Sequence, residues 1–153
     1  MELYLVQHGQ AKSEVEDPER PLTDLGREEV ERVGAFAARA GVKVRQIRHS
    51  GKRRAEETAL ILGRHLSAPD GAVGVAGLAP KDDPRPVARG LRSETQPLML
   101  VSHLPLLDRL AGLLIAGDAE RSVVQFRQGG MVCLTAEGTR WAVAWAVTPE
   151  CLV

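Results

Sequence analysis

Three short apolar runs in this chain lead into residues able to do chemistry. Leu3 to Val6 leads into Gln7, His8 and Gly9, Val42 to Ile47 leads towards Ser50, and Leu98 to Val101 leads into Ser102 and His103. As strands of an open α/β sheet, these runs would bring all three sets of residues to the carboxyl rim, where such sheets bind ligands. Ser50 opens the stretch Ser50-Gly51-Lys52-Arg53-Arg54 and reads as the N-cap of a helix. A helix start offers free N–H groups and the positive end of a dipole, which suit an anion. Arg54, about one turn into that helix, adds a guanidinium able to grip two phosphate oxygens. His103 stands at another helix start, which should keep its imidazole neutral and able to donate one hydrogen bond. Gly9 would let the backbone approach a ligand closely or take a positive φ. The chemistry read from this set is the binding of an anion.

The elements that must position these residues follow from periodicity. Leu3 to Val6 reads as a buried strand. Thr23 caps a helix from Asp24 to Ala40, with Val30, Val33, Ala37 and Ala40 at helical spacing and Gly41 at its end. Val42 to Ile47 is the second strand. Lys52 to Leu66 is the second helix, with Ala55, Ala59, Leu62 and Leu66 on one face. A short strand at Ala72 to Val75, a short helix at Pro84 to Leu91 and a strand at Leu98 to Val101 come next. Pro105 suits the first turn of a helix that runs to Ile115. Met131 to Thr135 and Trp141 to Ala146 form an antiparallel pair, turned at Glu137-Gly138. This alternation predicts one α/β domain over residues 1–153, with three layers and a mostly parallel mixed sheet flanked by helices.

Composition narrows the function classes. A chain of 153 residues can bury roughly 70% of its unfolded surface without a metal or disulfide staple. Twenty Lys plus Arg balance twenty Asp plus Glu, so bulk charge makes no case for nucleic acid or a membrane surface. Six cations and no acid lie between Lys43 and Arg54, but no aromatic interleaves them for base stacking. That stretch instead suits docking of an acidic partner. No apolar run approaches the length of a membrane span, and the first residues lack a signal-peptide pattern. Cys133 and Cys151 are widely spaced and frame neither a disulfide set nor a zinc site. His65 lies near a helix C-terminus, a favourable place for a cation that needs no functional account. No histidine pair has metal-ligand spacing. The expectation is a cytoplasmic protein with no metal and no cofactor.

The motifs together resemble the histidine phosphatase superfamily, and within it the small SixA-type phosphohistidine phosphatases. The resemblance covers nearly the whole chain. It rests on Gln7-His8-Gly9, where the family has Arg-His-Gly, and on Arg20-Pro21-Leu22-Thr23 with Gly26. Ser50 followed by Arg54-Ala55-Glu56 and Thr58, Ser102-His103-Leu104-Pro105-Leu106, and the tail Thr148-Pro149-Glu150-Cys151 extend it. The resemblance implies that His8 is the nucleophile that takes the phosphoryl group, with His103 assisting. Gln7, Gly9, Ser50, Arg54 and His103 would hold its oxygens, through a metal-independent covalent phosphohistidine.

Gln7 is the departure from that pattern. An amide brings neutral hydrogen bonds in place of a charge. Arg20, Lys52 or Arg53 could restore the missing cation. Asp82 and Asp83 lie in a loop suited to a general acid, although two acids before Pro84 are more often a helix-start cap. A phosphohistidine needs such an acid least, because its leaving imidazole has an ordinary pKa near 6.5. The segment Gly77 to Gln96, about twenty residues, is too short for a cap domain, so the site should be open. The implied partner is a phosphohistidine-bearing protein of the phosphotransfer-domain or phosphocarrier type. Two alternatives stand beside this reading. One is a small phosphomonoesterase of the same fold. The other is a phosphate- or phosphoprotein-binding module that has lost turnover because of Gln7.

Overall fold

The computed structural model describes residues 1–153. Strand β1 (Glu2–Gln7) shows why a sheet forms at the centre of the chain: its side chains alternate between two cores. Leu3 and Leu5 enter one hydrophobic cluster, and Tyr4 and Val6 enter the other. Strand β4 (Leu98–Ser102) does the same, with Leu98 and Leu100 on one side and Met99 and Val101 on the other. A strand buried on both faces reads as a continuous apolar run. The helices that cover the faces are α1 (Asp24–Arg39) and α2 (Arg53–Leu66) on one, and α3 (Arg85–Gly90) and α4 (Leu106–Ala116) on the other.

The remaining strands are β2 (Gln46–His49), β3 (Ala72–Gly74), β5 (Met131–Glu137) and β6 (Arg140–Val147). The sheet runs β3-β2-β4-β1-β5-β6. The first four strands in that order are parallel, and β5 and β6 add an antiparallel edge. Strand β4 returns to lie between β1 and β2, so the chain reverses its winding there. The crevice at such a reversal opens beyond the carboxyl ends of the strands. His8 and His103 leave the sheet side by side at that crevice, and Ser50 follows β2 on the next strand.

The three-layer mixed sheet matches the sequence expectation, with three local differences. The second strand is Gln46–His49, not Val42 to Ile47. Parallel pairing sets Gln46 opposite Leu98, where β4 begins, so earlier residues have no strand beside them. Val42 and Val44 are buried by folding back under α1, and the Val42 N–H bonds the Ala37 carbonyl at 3.0 Å. Helix α2 starts at Arg53 with Lys52 as its cap residue, so Ser50 is not the N-cap and Arg54 is the second helical residue. The β5–β6 turn is Gly138-Thr139, one residue later than expected, with Gly138 at φ 63°. Two other readings hold. Thr23 caps α1 by accepting from the Gly26 N–H at 3.0 Å, and Gly41 follows that helix at φ 79°.

The start of α1 is pressed against the loop that follows His8. The Thr23 N–H bonds the Gln10 carbonyl at 3.0 Å, and its hydroxyl reaches the Gln10 side-chain oxygen at 2.6 Å. A Cβ on Gly26 would overlap the Gln10 carbonyl, which is backbone and cannot swing away. Gly26→Ala gains up to about 1 kcal/mol of helix propensity. The overpacking costs about 1–3 kcal/mol and outweighs that gain. The expected result is a lower urea midpoint with an unchanged slope.

Candidate active site

His8 is buried at the end of β1, and its Nδ1 lies 2.7 Å from the Gly9 carbonyl oxygen. A carbonyl only accepts, so Nδ1 carries the proton and Nε2 keeps its lone pair. Burial pushes the His8 pKa down from 6.5 to about 4; the Gly9 bond opposes this, and the nearby Arg54 and Arg20 charges add to it. A neutral imidazole with one bare nitrogen, surrounded by cations, is set up to attack an anionic electrophile.

His103 faces it, with ring centroids 4.9 Å apart. Its Nε2 is 2.7 Å from the Ser50 hydroxyl, which also accepts the Lys52 N–H at 3.2 Å. Burial lowers the His103 pKa to about 3, helped by His8, Arg54, Lys52 and Arg20. These causes agree with the neutral imidazole expected at this position. Burial is the largest cause, and the His103 carbonyl accepts the Leu107 N–H at 2.9 Å in the turn that leads into α4.

The φ of Gly9 is not positive, and the space left by its missing side chain is filled by the protein itself. A Cβ there would sit 2.8 Å from Val30 Cγ2 of α1. Its N–H donates to the Thr58 hydroxyl of α2 at 3.0 Å, and that hydroxyl donates to the Arg54 carbonyl at 2.8 Å. Thr58 thus couples the residue after His8 to the turn that carries Arg54. The sequence motif included Thr58 without giving it a task. A second contributor was missed altogether. The Gly129 N–H bonds the carbonyls of Gln7 and His8 at 2.9 and 3.2 Å, buttressing the end of β1. Its only trace in the sequence is the pair Gly129-Gly130.

The basic stretch divides into paired and unpaired cations. Arg45 pairs with Asp70 and Arg48 with Glu94. Arg53 is held by Glu19 at 2.7 Å and Glu57 at 3.2 Å, so it does not supply the missing cation. Arg54 and Lys52 have no acid partner within salt-bridge distance, and both act on His103. Arg54 is itself held below its usual pKa by burial and by Arg20, with Glu14 opposing. Arg20 comes from the loop before α1. It takes a left-handed φ of 50°, and its Nε bonds the Lys12 carbonyl at 3.1 Å. Asp83 is not brought to the site: it binds both the N–H and the guanidinium of Arg85 at the start of α3. Asp82 accepts the Ala79 N–H at 2.9 Å. Both acids cap backbone, as two acids before a proline usually do.

Of the four buried polar atoms without a protein partner, three belong to residues of this site, Gln7 Oε1, Arg54 Nε and His103 Nδ1, and the fourth is Arg32 Nε on α1. Such atoms are costly to leave unmet, and their clustering marks a polar ligand site. No three side chains among His, Cys, Asp and Glu come together in a way that would hold a metal ion. His65 bonds Glu31 at 2.7 Å and is structural.

Two of the three buried histidines, His8 and His103, give the fold a marked pH dependence. An unfolded chain protonates each near pH 6.5. The folded chain resists until about pH 4 at His8 and about pH 3 at His103. The unfolded state therefore binds more protons in that window, and stability falls as pH drops from 6.5 towards 4. Urea midpoints at pH 7 and 4.5 should show this fall, and a His8→Gln/His103→Gln variant should show a shallower one. Separately, Thr58→Val leaves the buried Gly9 N–H unmet, and equilibrium unfolding should read a loss of about 1–3 kcal/mol.

Known proteins match this geometry. Residues 3–71, which carry His8, Gly9, Arg20, Ser50, Arg54 and Thr58, match the model of the histidine phosphatase superfamily, branch 1. A stretch of 65 residues is 40% identical to the human serine/threonine-protein phosphatase PGAM5, mitochondrial. That stretch covers 42% of this chain but only 22% of the human protein. The tungstate complex of the protein histidine phosphatase SixA superposes with a TM-score of 0.89 over 100% of both chains, at 24% identity. The alpha-ribazole phosphatase from Shigella flexneri superposes with a TM-score of 0.75 over 97% of both chains, at 17% identity. The structural matches establish the fold as that of SixA, and the family model accounts for the residues around His8 within residues 3–71.

Proposed function

We propose that the protein is a phosphohistidine phosphatase that works through a covalent phosphohistidine on His8. The observation that carries this reading is the His8 imidazole itself, with its proton fixed on the Gly9 carbonyl and its other nitrogen free among cations. Nε2 would attack the phosphorus in line. A P–N bond forms as the bond to the substrate imidazole breaks, and that ring leaves with a proton already on it. Water then attacks the phosphoenzyme, releasing phosphate and restoring neutral His8. Arg54 and Arg20 would offset the charge on the equatorial oxygens, with Gln7 and His103 adding hydrogen bonds. Phosphoryl transfer asks for little more than such positioning and charge.

The lack of an acid beside His8 favours a P–N substrate over an ester. The carboxylates expected in that role cap backbone instead. Residues 77–96 fold as α3 and short turns rather than as a cap domain, which supports a phosphohistidine carried by a partner protein as the substrate. Free Cys133 and Cys151 suit the reducing cytoplasm, where we place this activity. No helix is long and apolar enough to cross a membrane.

The test is incubation with phosphoramidate, an alkaline quench and mass spectrometry, beside a phosphate-release assay. Phosphate on His8 with turnover is expected, and His8→Ala should abolish both. Phosphate binding with neither adduct nor release would overturn the reading in favour of a binding module. Faster turnover of an aryl phosphate would instead identify an esterase. Gln7→Arg should raise phosphoramidate turnover, because a charge-assisted bond exceeds a neutral one by about 1–2 kcal/mol, roughly 5- to 30-fold in rate. Arg54→Ala should lower turnover by about 10²–10³, the range seen when a donor to developing charge is removed.

A further inference from the structure

A cleft of about 810 Å³ opens at the end of the sheet away from His8. It lies between α3, the C-terminal half of α4 and the β5–β6 turn, beside the first residue of the chain. Strand β1 spans six residues between it and the histidine pair. At the strand rise, that separation is roughly 20 Å. The cleft is therefore not part of the phosphoryl site.

Its lining has two characters. Arg85, Arg89 and Arg92 come from α3 and the turn after it. Their spacing of four and three residues places them on one side. Arg85 is paired with Asp83 at 3.0 Å, whereas exposed Arg89 and Arg92 have no acid within salt-bridge distance. Glu94, the acid in the lining, is taken by Arg48 at 2.9 Å. Leu113 and Leu114 of α4 and Trp141 of β6 contribute an apolar part to the same lining. Unpaired guanidiniums and apolar side chains lining one small-molecule-sized cleft make a two-part receptor.

We propose that this cleft is a second binding site, for a small amphiphilic organic anion. The carboxylate, sulfonate or phosphate head lies on Arg89 and Arg92, where planar guanidiniums accept it bidentately. The apolar body lies along Leu113, Leu114 and the Trp141 indole. The site stands independently of the activity proposed for His8.

The probe is 8-anilinonaphthalene-1-sulfonate, added to the folded protein and followed by fluorescence and by amide shifts in ¹H–¹⁵N spectra. Saturable binding is expected, with shifts at Arg89, Leu114 and Gly138 and none at Gly9 or Gly51. An Arg89→Glu/Arg92→Glu variant should bind at least tenfold more weakly while keeping a native spectrum. Arg89→Ala, a milder change, should weaken binding in the same direction. Dodecanoate and benzoate, tested separately, distinguish an extended body from a compact aromatic one, and displacement by either supports the site. Shifts centred on Gly9 and Gly51, binding indifferent to the arginine variants, or equal displacement by dodecyltrimethylammonium would overturn it.

Discussion

The hydrogen bond from the Gly9 N–H to the Thr58 hydroxyl joins the end of β1 to α2, and the geometry at the site depends on it. Gly9 packs against Val30 and Gly26 of α1 on its other side, so three elements meet on one residue without a side chain. Because Gly9 is fixed, its carbonyl is fixed, and that carbonyl decides which nitrogen of His8 carries the proton. Because Thr58 also bonds the Arg54 carbonyl, Arg54 and His8 share one anchor. A larger residue at position 9 would push the sheet from the helices and release both.

Burial is the main electrostatic influence on the two site histidines. Two imidazoles stand against each other in a pocket with Arg54, Arg20 and Lys52 around them, and desolvation is the largest influence on each. Desolvation disfavours the charged imidazole, and nearby cations disfavour it further. The site can therefore concentrate positive charge for an anion without protonating His8. The left-handed backbone at Arg20 is part of that arrangement: a non-glycine residue accepts such a conformation only where the surrounding contacts impose it.

Gln7 changes the balance of charge but not the architecture. It occupies the last position of β1, paired with Ser102 in the parallel ladder, and its side-chain oxygen is buried without a partner. The Arg-His-Gly pattern that Gln7-His8-Gly9 resembles has an arginine here. In this chain the guanidiniums that act on His8 come from α2 and from the loop before α1, not from the central strand.

Much of this was legible in the sequence, because it depends on local pattern. Apolar runs buried on both faces gave β1 and β4, helical spacing gave α1 and α2, and the strand ends gave His8 and His103 as a pair. What failed was whatever depended on a distant partner. The second strand moved to Gln46–His49 because β4 sets its register. Ser50 gave up the cap role and bonded a histidine 53 residues away. Arg53 and Arg54 are chemically equal neighbours in the sequence. Only the position of Glu19 and Glu57 makes one a surface ion pair and leaves the other in the site. Side-chain periodicity is a property of the chain itself, whereas the choice among equivalent cations is made by the partners that folding brings beside them.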